Sequence, residues 1–344
     1  MGGKLIVNVK NIKNNILNIK ARTNGSLFCA VVKANCYGFG INLCKYLEDV
    51  VDYFAVATIT EARELASIVN KRILVLTPPS VKELDDKLQE YKNIEFAIDN
   101  IDTLKGLVSN KNNYKVHIAV NTGMNRHGVN YEEYLKMLYI IKRSHNVSLI
   151  GVFSHFYSNE NNVMDNQYNR FKAFVCVAKE YNKNILCHLS NSRGLDYSLD
   201  MVRVGIGMYG IQTTDCFRLE SNIISIRTIY KGDVVGYNAD YVANKKVVVA
   251  VVPLGYADGI MRAMGGGNVL INGKICSIIG NICMDCFMVD VSKCNNVKVG
   301  DKVVIVGSMN KKNINICQMA AQCDTICYEL LSRFGNRICR EYRE

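Results

Sequence analysis

Residues 27–40 read Leu27-Phe28-Cys29-Ala30-Val31-Val32-Lys33-Ala34-Asn35-Cys36-Tyr37-Gly38-Phe39-Gly40. Leu27 to Val32 form an almost unbroken apolar run, the pattern of a buried strand. The run delivers one lysine, and a glycine-containing turn follows at once. A lysine at the end of an apolar strand sits where desolvation favours the neutral amine. A neutral, aimed amine attacks a carbonyl and holds it as a Schiff base. The glycines let backbone approach a ligand closely. Taken alone, the stretch favours a plainer reading, a solvated lysine at the polar end of a strand. The rest of the chain decides.

Outward from this strand, short β-branched runs recur at residues 53–57, 73–77, 94–98, 116–120, 149–153, 185–189 and 201–205. Amphipathic helical patterns lie between most of them, at 60–69, 101–108, 131–143 and 165–181. With the lysine strand this makes eight strands in βα alternation, over about 200 residues, the size of a (β/α)8 barrel. A doubly wound sheet also alternates, but no GxGxxG follows the first strand and no GxxxxGK[ST] loop occurs. Ahead of these lie a short strand at 5–9 and a helix with Ile12, Ile16 and Ile19 on one face. After Gly210 helical periodicity fades and strand-like runs crowd together at 247–252, 269–271, 274–279, 287–291 and 302–306, with a hairpin signal at Asn272-Gly273. The expected architecture is α/β, a (β/α)8 TIM-type barrel over 1–214 followed by a mainly β domain over 215–344.

Composition narrows the function class. The 344 residues are 49% hydrophobic and 21% charged, as in ordinary globular proteins. No apolar run approaches the roughly 20 residues of a membrane helix, and Met1-Gly2-Gly3-Lys4 leads into a strand without a signal-peptide core. Most of the 14 cysteines lie in apolar runs, as Cys29, Cys176, Cys187 and Cys276 do, and no CxxC pair appears with zinc spacing. They read as reduced thiols of a cytoplasmic protein without a metal site. The net charge of +11 comes from scattered lysines, with no basic run interleaved with aromatics. This suits an enzyme with an anionic cofactor or substrate better than a nucleic-acid binder.

In a barrel, chemistry gathers at the C-terminal ends of the strands. Here those ends carry Lys33, the loop Asn121-Thr122-Gly123-Met124-Asn125-Arg126-His127-Gly128, His155, Ser190-Asn191-Ser192, and Arg203 followed by Gly205-Ile206-Gly207. Singly these are a satisfied polar residue, a helix cap or a surface charge; five at one end mark a site. Loops after strands seven and eight are the usual phosphate cradle of this fold. An amine, a phosphate cradle and an arginine in one barrel mouth suggest pyridoxal 5′-phosphate.

The stretch from Val32 to Gly40 resembles the cofactor-lysine signature of the alanine racemase family. So do the loop 121–128, Val202-Arg203-Val204-Gly205-Ile206-Gly207-Met208-Tyr209-Gly210, Gly255-Tyr256-Ala257-Asp258-Gly259, Cys283-Met284-Asp285 and Thr325-Ile326-Cys327-Tyr328-Glu329, all in family order. The resemblance implies that Lys33 is the Schiff-base lysine and Tyr256 a second base supplied by the partner across a head-to-tail homodimer with shared active sites. It implies that Arg203 donates to the pyridine nitrogen and that His155 orients it. Tyr37, Ser192, Gly205, Ile206 and Tyr328 become phosphate contacts. Arg126 and the Met284 N–H hold the carboxylate of a small amino-acid substrate, with Asp285 nearby. Inverting an α-carbon needs proton transfer on both faces, which two bases flanking a flat cofactor supply. A phenol needs a lowered pKa to act as one of them, and cations such as Arg126 favour that. A permanently protonated arginine keeps the ring a poorer electron sink.

Some positions depart from the family pattern. Ala119 stands seven positions before Arg126, where many members carry a carbamylated lysine; Asn121 replaces a usual aspartate and Phe39 a usual histidine. Ser190-Asn191-Ser192-Arg193-Gly194 and Leu330-Leu331-Ser332-Arg333 lean toward the serine-racemase branch, whereas Tyr328 and the lack of a membrane domain lean away from it. The implied activity is interconversion of L- and D-alanine, supplying D-alanine for peptidoglycan. Alternatives are a serine racemase of the same family and a non-enzymatic cofactor-binding protein on the same barrel. A decarboxylase of the same fold would carry a Cys-Glu-Ser-Gly-Asp-type motif, which Cys283-Met284-Asp285 is not.

Overall fold

The computed structural model describes residues 2–84, 90–211 and 215–344. The chain divides into two compact units that are not contiguous in sequence. One comprises Lys13–Cys36 and Cys44–Met208; the other comprises Met1–Ile12, Tyr37–Leu43 and Tyr209–Glu344. The expected boundary at 214 lies outside the described residues.

After an N-terminal strand, β1 (Lys4–Asn8), the first unit is built on β2 (Leu27–Val31), β3 (Tyr53–Val56), β4 (Arg72–Val75), β5 (Ile94–Ile98), β6 (Tyr114–Ala119), β7 (Val147–Phe153), β8 (Leu186–His188) and β9 (Met201–Val204). They pair in parallel in the order β8-β7-β6-β5-β4-β3-β2-β9. Backbone bonds from Asp200 N–H to the Cys187 carbonyl (3.1 Å) and from Arg203 N–H to the Ser190 carbonyl (3.0 Å) join β8 to β9 and bring the ring round to closure. These are the eight strands expected from the β-branched runs. A parallel strand covered on both faces reads as a continuous apolar run, and β3 and β5 are buried at every position.

The helices start where the sequence supplies caps. Thr58 and Glu61 form a capping box for Ile59–Ala66, as do Asn130 and Glu133 for Tyr131–Lys142, and Asn100 caps Ile101–Val108. Ile59, Ala62 and Leu65 form the buried stripe of the first of these, and each large aliphatic side chain so buried is worth roughly 1.5–3 kcal/mol. The helix Asn161–Tyr181 begins before the expected 165; it opens on two asparagines, which are weak helix formers, and its buried stripe starts at Met164.

The second unit is mainly β. Its strands are β10 (Phe217–Asn222), β11 (Ser225–Ile229), β12 (Val234–Val235), β13 (Tyr241–Val242), β14 (Val247–Val252), β15 (Asn268–Ile271), β16 (Lys274–Ile279), β17 (Phe287–Asp290), β18 (Lys302–Met309), β19 (Lys312–Ile314) and β20 (Cys339–Arg343). The large sheet runs β11-β14-β17-β16-β15-β18-β10-β1-β20. Asn272 and Gly273 both have positive φ in the β15–β16 hairpin, the turn their sequence predicts. The N-terminal strand, read from sequence as part of the 1–214 barrel region, belongs to this sheet instead. It pairs antiparallel with β10 and parallel with β20. Leu5, Ile6 and Val7 are buried in a row, so β1 needs cover on both faces. Among the described residues no helix is long and apolar enough to cross a membrane.

Candidate active site

In the barrel unit, Lys33 follows β2 directly, and Val32 N–H is still tied to the Ala55 carbonyl (2.8 Å). The backbone then makes a left-handed turn. Ala34, Asn35 and Cys36 have φ of 52–55°, and Tyr37 continues it at 54°. Such conformations cost roughly 1–2 kcal/mol per non-glycine residue, so the surroundings must hold them. Glu61 does part of this: its carboxylate accepts from Ala34 N–H and Ala57 N–H, both at 2.7 Å. Lys33 is exposed in the single chain, yet its amine is lowered from the usual lysine value. Crowding around it is the first cause and the Arg126 cation the second, with Glu61 opposing. The direction is the one inferred from its strand-end position.

Gly38, in the turn after Lys33, is closely packed. A side chain on Gly38, at φ 84°, would collide with the Leu331 carbonyl, while Tyr37 turns its ring toward Tyr209 and edge-on to Tyr328 at 6.2 Å. The freedom of Gly38 allows this close packing within the β unit. Burial and then Tyr328 raise the Tyr37 phenol.

Arg203 is buried on β9 and held on three sides. It donates to Nδ1 of His188 (2.6 Å), to the His188 carbonyl (3.0 Å) and to the Ser154 carbonyl (2.6 Å). His155 Nδ1 is further away, at 3.4 Å. Orientation of Arg203, which the resemblance assigns to His155, therefore falls mainly to His188 and Ser154. The chain continues inward: His188 Nε2 meets His117 Nδ1 (2.9 Å), and His117 Nε2 meets Glu95 (2.8 Å). Since Arg203 has only protons to give, His188 accepts at Nδ1 and donates at Nε2, and His117 in turn donates to the carboxylate. Arg72 closes the line on Glu95 at 2.6 Å.

Charge follows this order. Burial, then Arg203 and His117, hold the His188 imidazolium well below its ordinary range. Burial, then Arg203, Arg126 and Lys33, bring His155 down to about 3. Burial lowers Arg203 only to about 10, so at neutral pH a guanidinium cation sits between two neutral imidazoles. Burial raises the Glu95 carboxyl, but His117 and Arg72 outweigh it and the net shift is downward.

Of the other predicted residues, Arg126, Ser192, Gly205 and Ile206 belong to the same unit. Arg126 lies in the loop after β6, which Asn121 braces by accepting from Gly123 N–H at 2.9 Å. Among the described residues Arg126 makes no ion pair, and Ala119 packs with Ala97 and Phe153 in an apolar cluster. Ser192 Oγ accepts from Gly207 N–H at 3.3 Å, and a Cβ on Gly207 would lie 2.9 Å from Ser192 Cβ. That missing side chain lets the Gly207 backbone approach the Ser192 hydroxyl, as in a glycine-lined phosphate loop. Gln167, not singled out from the sequence, ties two loops together by donating to Thr122 Oγ1 and the His155 carbonyl, both at 3.1 Å. The amine, the permanent cation and the hydroxyl–amide cradle fit pyridoxal 5′-phosphate.

In the β unit, Tyr256 is 45% exposed, on a short turn whose backbone is pinned. Tyr256 N–H donates to the Cys283 carbonyl (3.1 Å) and Ala257 N–H to the Met284 carbonyl (3.0 Å). Buried Asp258 accepts from Gly255 N–H (2.9 Å) and pairs with Arg337 (3.1 Å), which also reaches Asp285 (2.8 Å). Tyr256 lines a cavity of about 630 Å³ with Tyr237, Asn281, Arg262 and Arg333. Tyr328 is partly exposed in this unit.

Comparison with known proteins covers both units. The family model described as alanine racemase, N-terminal domain, matches residues 7–213, and that for the alanine racemase C-terminal domain matches 216–342. An alanine racemase of Fusobacterium nucleatum subsp. nucleatum is 33% identical, spanning 97% of this chain and 98% of its own length. One from Francisella philomiragia is 35% identical, over 98% and 99%. Among solved structures, alanine racemase from Bacillus anthracis with bound L-Ala-P is 27% identical, with a TM-score of 0.92 over 99% of this chain and 95% of that one. That from Clostridium difficile 630 is 29% identical, with a TM-score of 0.92 over 100% and 96%.

Proposed function

As the chain belongs to the alanine racemase family, we propose that it interconverts L- and D-alanine with pyridoxal 5′-phosphate held on Lys33, between that lysine and Tyr256 as the two bases. The observation that carries this is Arg203, a guanidinium kept charged between two neutral histidines in the same unit as an amine of lowered pKa. The cofactor, when bound, supplies an aldehyde for amine exchange and a ring that takes up the electron pair left at Cα. Arg203 donates a hydrogen bond to the ring nitrogen without giving up its proton, which limits that uptake and favours reprotonation over side reactions. Nζ of Lys33 moves the proton on one face and Oη of Tyr256 moves it on the other. Arg126 and the Met284 N–H hold the substrate carboxylate. Ser192, Gly205 and Ile206, with Tyr37 and Tyr328, hold the phosphate, and His155 helps His188 orient Arg203.

The non-enzymatic reading is not favoured, because proteins of that kind resemble the first domain alone and here both domain models match. The reading includes a cytoplasmic homodimer with composite sites, making D-alanine for peptidoglycan. Purified protein given L-alanine or L-serine separately, followed by chiral chromatography, is expected to form D-alanine faster than D-serine. Faster serine inversion would move the chain to the serine branch, and no inversion of either would end the racemase reading.

The composite site has its own test. Inactive Lys33→Ala and Tyr256→Ala proteins, mixed under subunit exchange, should recover activity at one site per heterodimer, roughly a quarter of the wild-type rate for random association. No recovery despite exchange shown by mass spectrometry rules out sharing.

A further inference from the structure

We propose that Cys283 and Cys286 form a reversible disulfide with low-molecular-weight disulfides as oxidant, and that closing it displaces the turn beneath Tyr256. The effect on turnover rests on the racemase reading; the thiol chemistry does not.

Cys283-Met284-Asp285-Cys286 is the single CxxC of the sequence, with no second CxxC to complete a zinc site. Cys283 N–H donates to the Cys286 carbonyl at 2.9 Å, so the chain reverses over Met284 and Asp285 and the two cysteines face each other at its neck. A chain that reverses over two residues holds its first and fourth Cα atoms up to about 7 Å apart, the limit of what a disulfide spans, so closing the bond draws the neck in. Both are partly buried and pack against the cluster around Val249 and Met288. Burial raises the Cys286 thiol, and the neighbouring Cys283 raises it further.

The same four residues support the proposed second base. The carbonyls of Cys283 and Met284 accept from Tyr256 and Ala257. Gly255 lies so close that a side chain there would strike both carbonyls. Arg337 fixes Asp285 and Asp258 together. A shift at the neck therefore passes to Tyr256 with little slack between. Other neighbouring thiols are differently placed. Cys36 and Cys44, at 3.3 Å, are completely buried; Cys276, 3.2 Å from the partly exposed Cys294, and Cys327, beside Cys317, are outside the backbone bonds that hold the Tyr256 turn.

The chemistry balances. The Cys283 thiolate attacks one sulfur of a small disulfide, that S–S bond breaks, and one small thiolate leaves and takes a proton. With Cys283 in the mixed disulfide, its charge no longer opposes ionisation of Cys286. Cys286 loses its proton to solvent, attacks the Cys283 sulfur and expels the second small thiolate, which is protonated. Two protein thiols are oxidised and one disulfide is reduced to two thiols; excess thiol reverses both steps.

The test equilibrates the cofactor-loaded protein with oxidised glutathione, blocks free thiols with an alkylating reagent and maps peptides by mass. The expected product is a Cys283–Cys286 peptide two hydrogens lighter than its reduced form. Cys36 and Cys44 stay reduced. Racemisation falls by on the order of tenfold, as misplacement near reacting groups does, and dithiothreitol restores it. Cys286→Ser should keep its turnover under oxidation and show Cys283 only as a glutathione mixed disulfide. Full alkylation of both thiols after equilibration overturns the disulfide. A complete disulfide with unchanged racemisation overturns the switch. A reduced enzyme that inverts no amino acid overturns the racemase reading instead, and the mass map still decides the thiol chemistry.

Discussion

Lys33→Ala is expected to lose the cofactor's absorption near the visible edge and to slow racemisation by more than about a thousandfold. The side chain follows directly on a buried strand, and the left-handed turn after it is tied down by Glu61. Removing the amine takes away both the attachment point and one base, while the truncated residue is exposed in the single chain and leaves no core cavity. Stability in denaturant should therefore change little, and loss of the band reports chemistry, not unfolding. Borohydride reduction of the wild type followed by peptide mapping should recover the cofactor on Lys33. If the variant keeps a reducible linkage, or mapping finds another lysine, the assignment is wrong.

The same amine gives a pH test with a definite sign. Arg126 helps lower the Lys33 pKa, and only the neutral amine attacks an aldehyde. Arg126→Ala moves that pKa back up, so the acid limb of cofactor attachment should shift to higher pH. The measurement uses the absorption band of cofactor binding alone and needs no substrate. A limb that stays put or moves down would show that Arg126 does not act on Lys33.

What the sequence revealed follows the physics of each signal. Parallel strands covered on both faces leave short β-branched runs, and all eight barrel strands lie where those runs lie. The strand at Lys4–Asn8 has the same texture, but a buried run does not state which sheet it joins, and its partners Phe217–Asn222 and Cys339–Arg343 are remote. Lys33 and Arg203 stand out because charges interrupt apolar strands. His188 lies inside such a strand and reads as filler; its partner His117 is 71 residues away and Glu95 another 22. Glu61 signals a helix start, and nothing local tells that its carboxylate also clamps Ala34. The left-handed turn at Ala34–Tyr37 contains no glycine, so the usual marker of positive φ is missing.

Tyr256→Phe is expected to separate the two faces of the reaction. The substitution keeps the ring and removes the ionisable oxygen from a residue that is 45% exposed. What holds the turn is backbone, through the Cys283 and Met284 carbonyls and through Asp258, so folding stability should change by no more than about 0.5 kcal/mol. Family resemblance gives Tyr256 the α-proton of L-alanine and Lys33 that of D-alanine. In deuterated solvent the variant should lose exchange at Cα of L-alanine by about a hundredfold or more, while exchange at Cα of D-alanine persists, because the lysine is intact and its proton still reaches solvent. Net racemisation fails in both directions, since each needs both bases, which is why exchange and not turnover is the informative readout. A tyrosine that only packed against a partner subunit would leave both exchanges near wild type. Equal loss on both enantiomers would keep Tyr256 in the reaction but remove its assignment to one face.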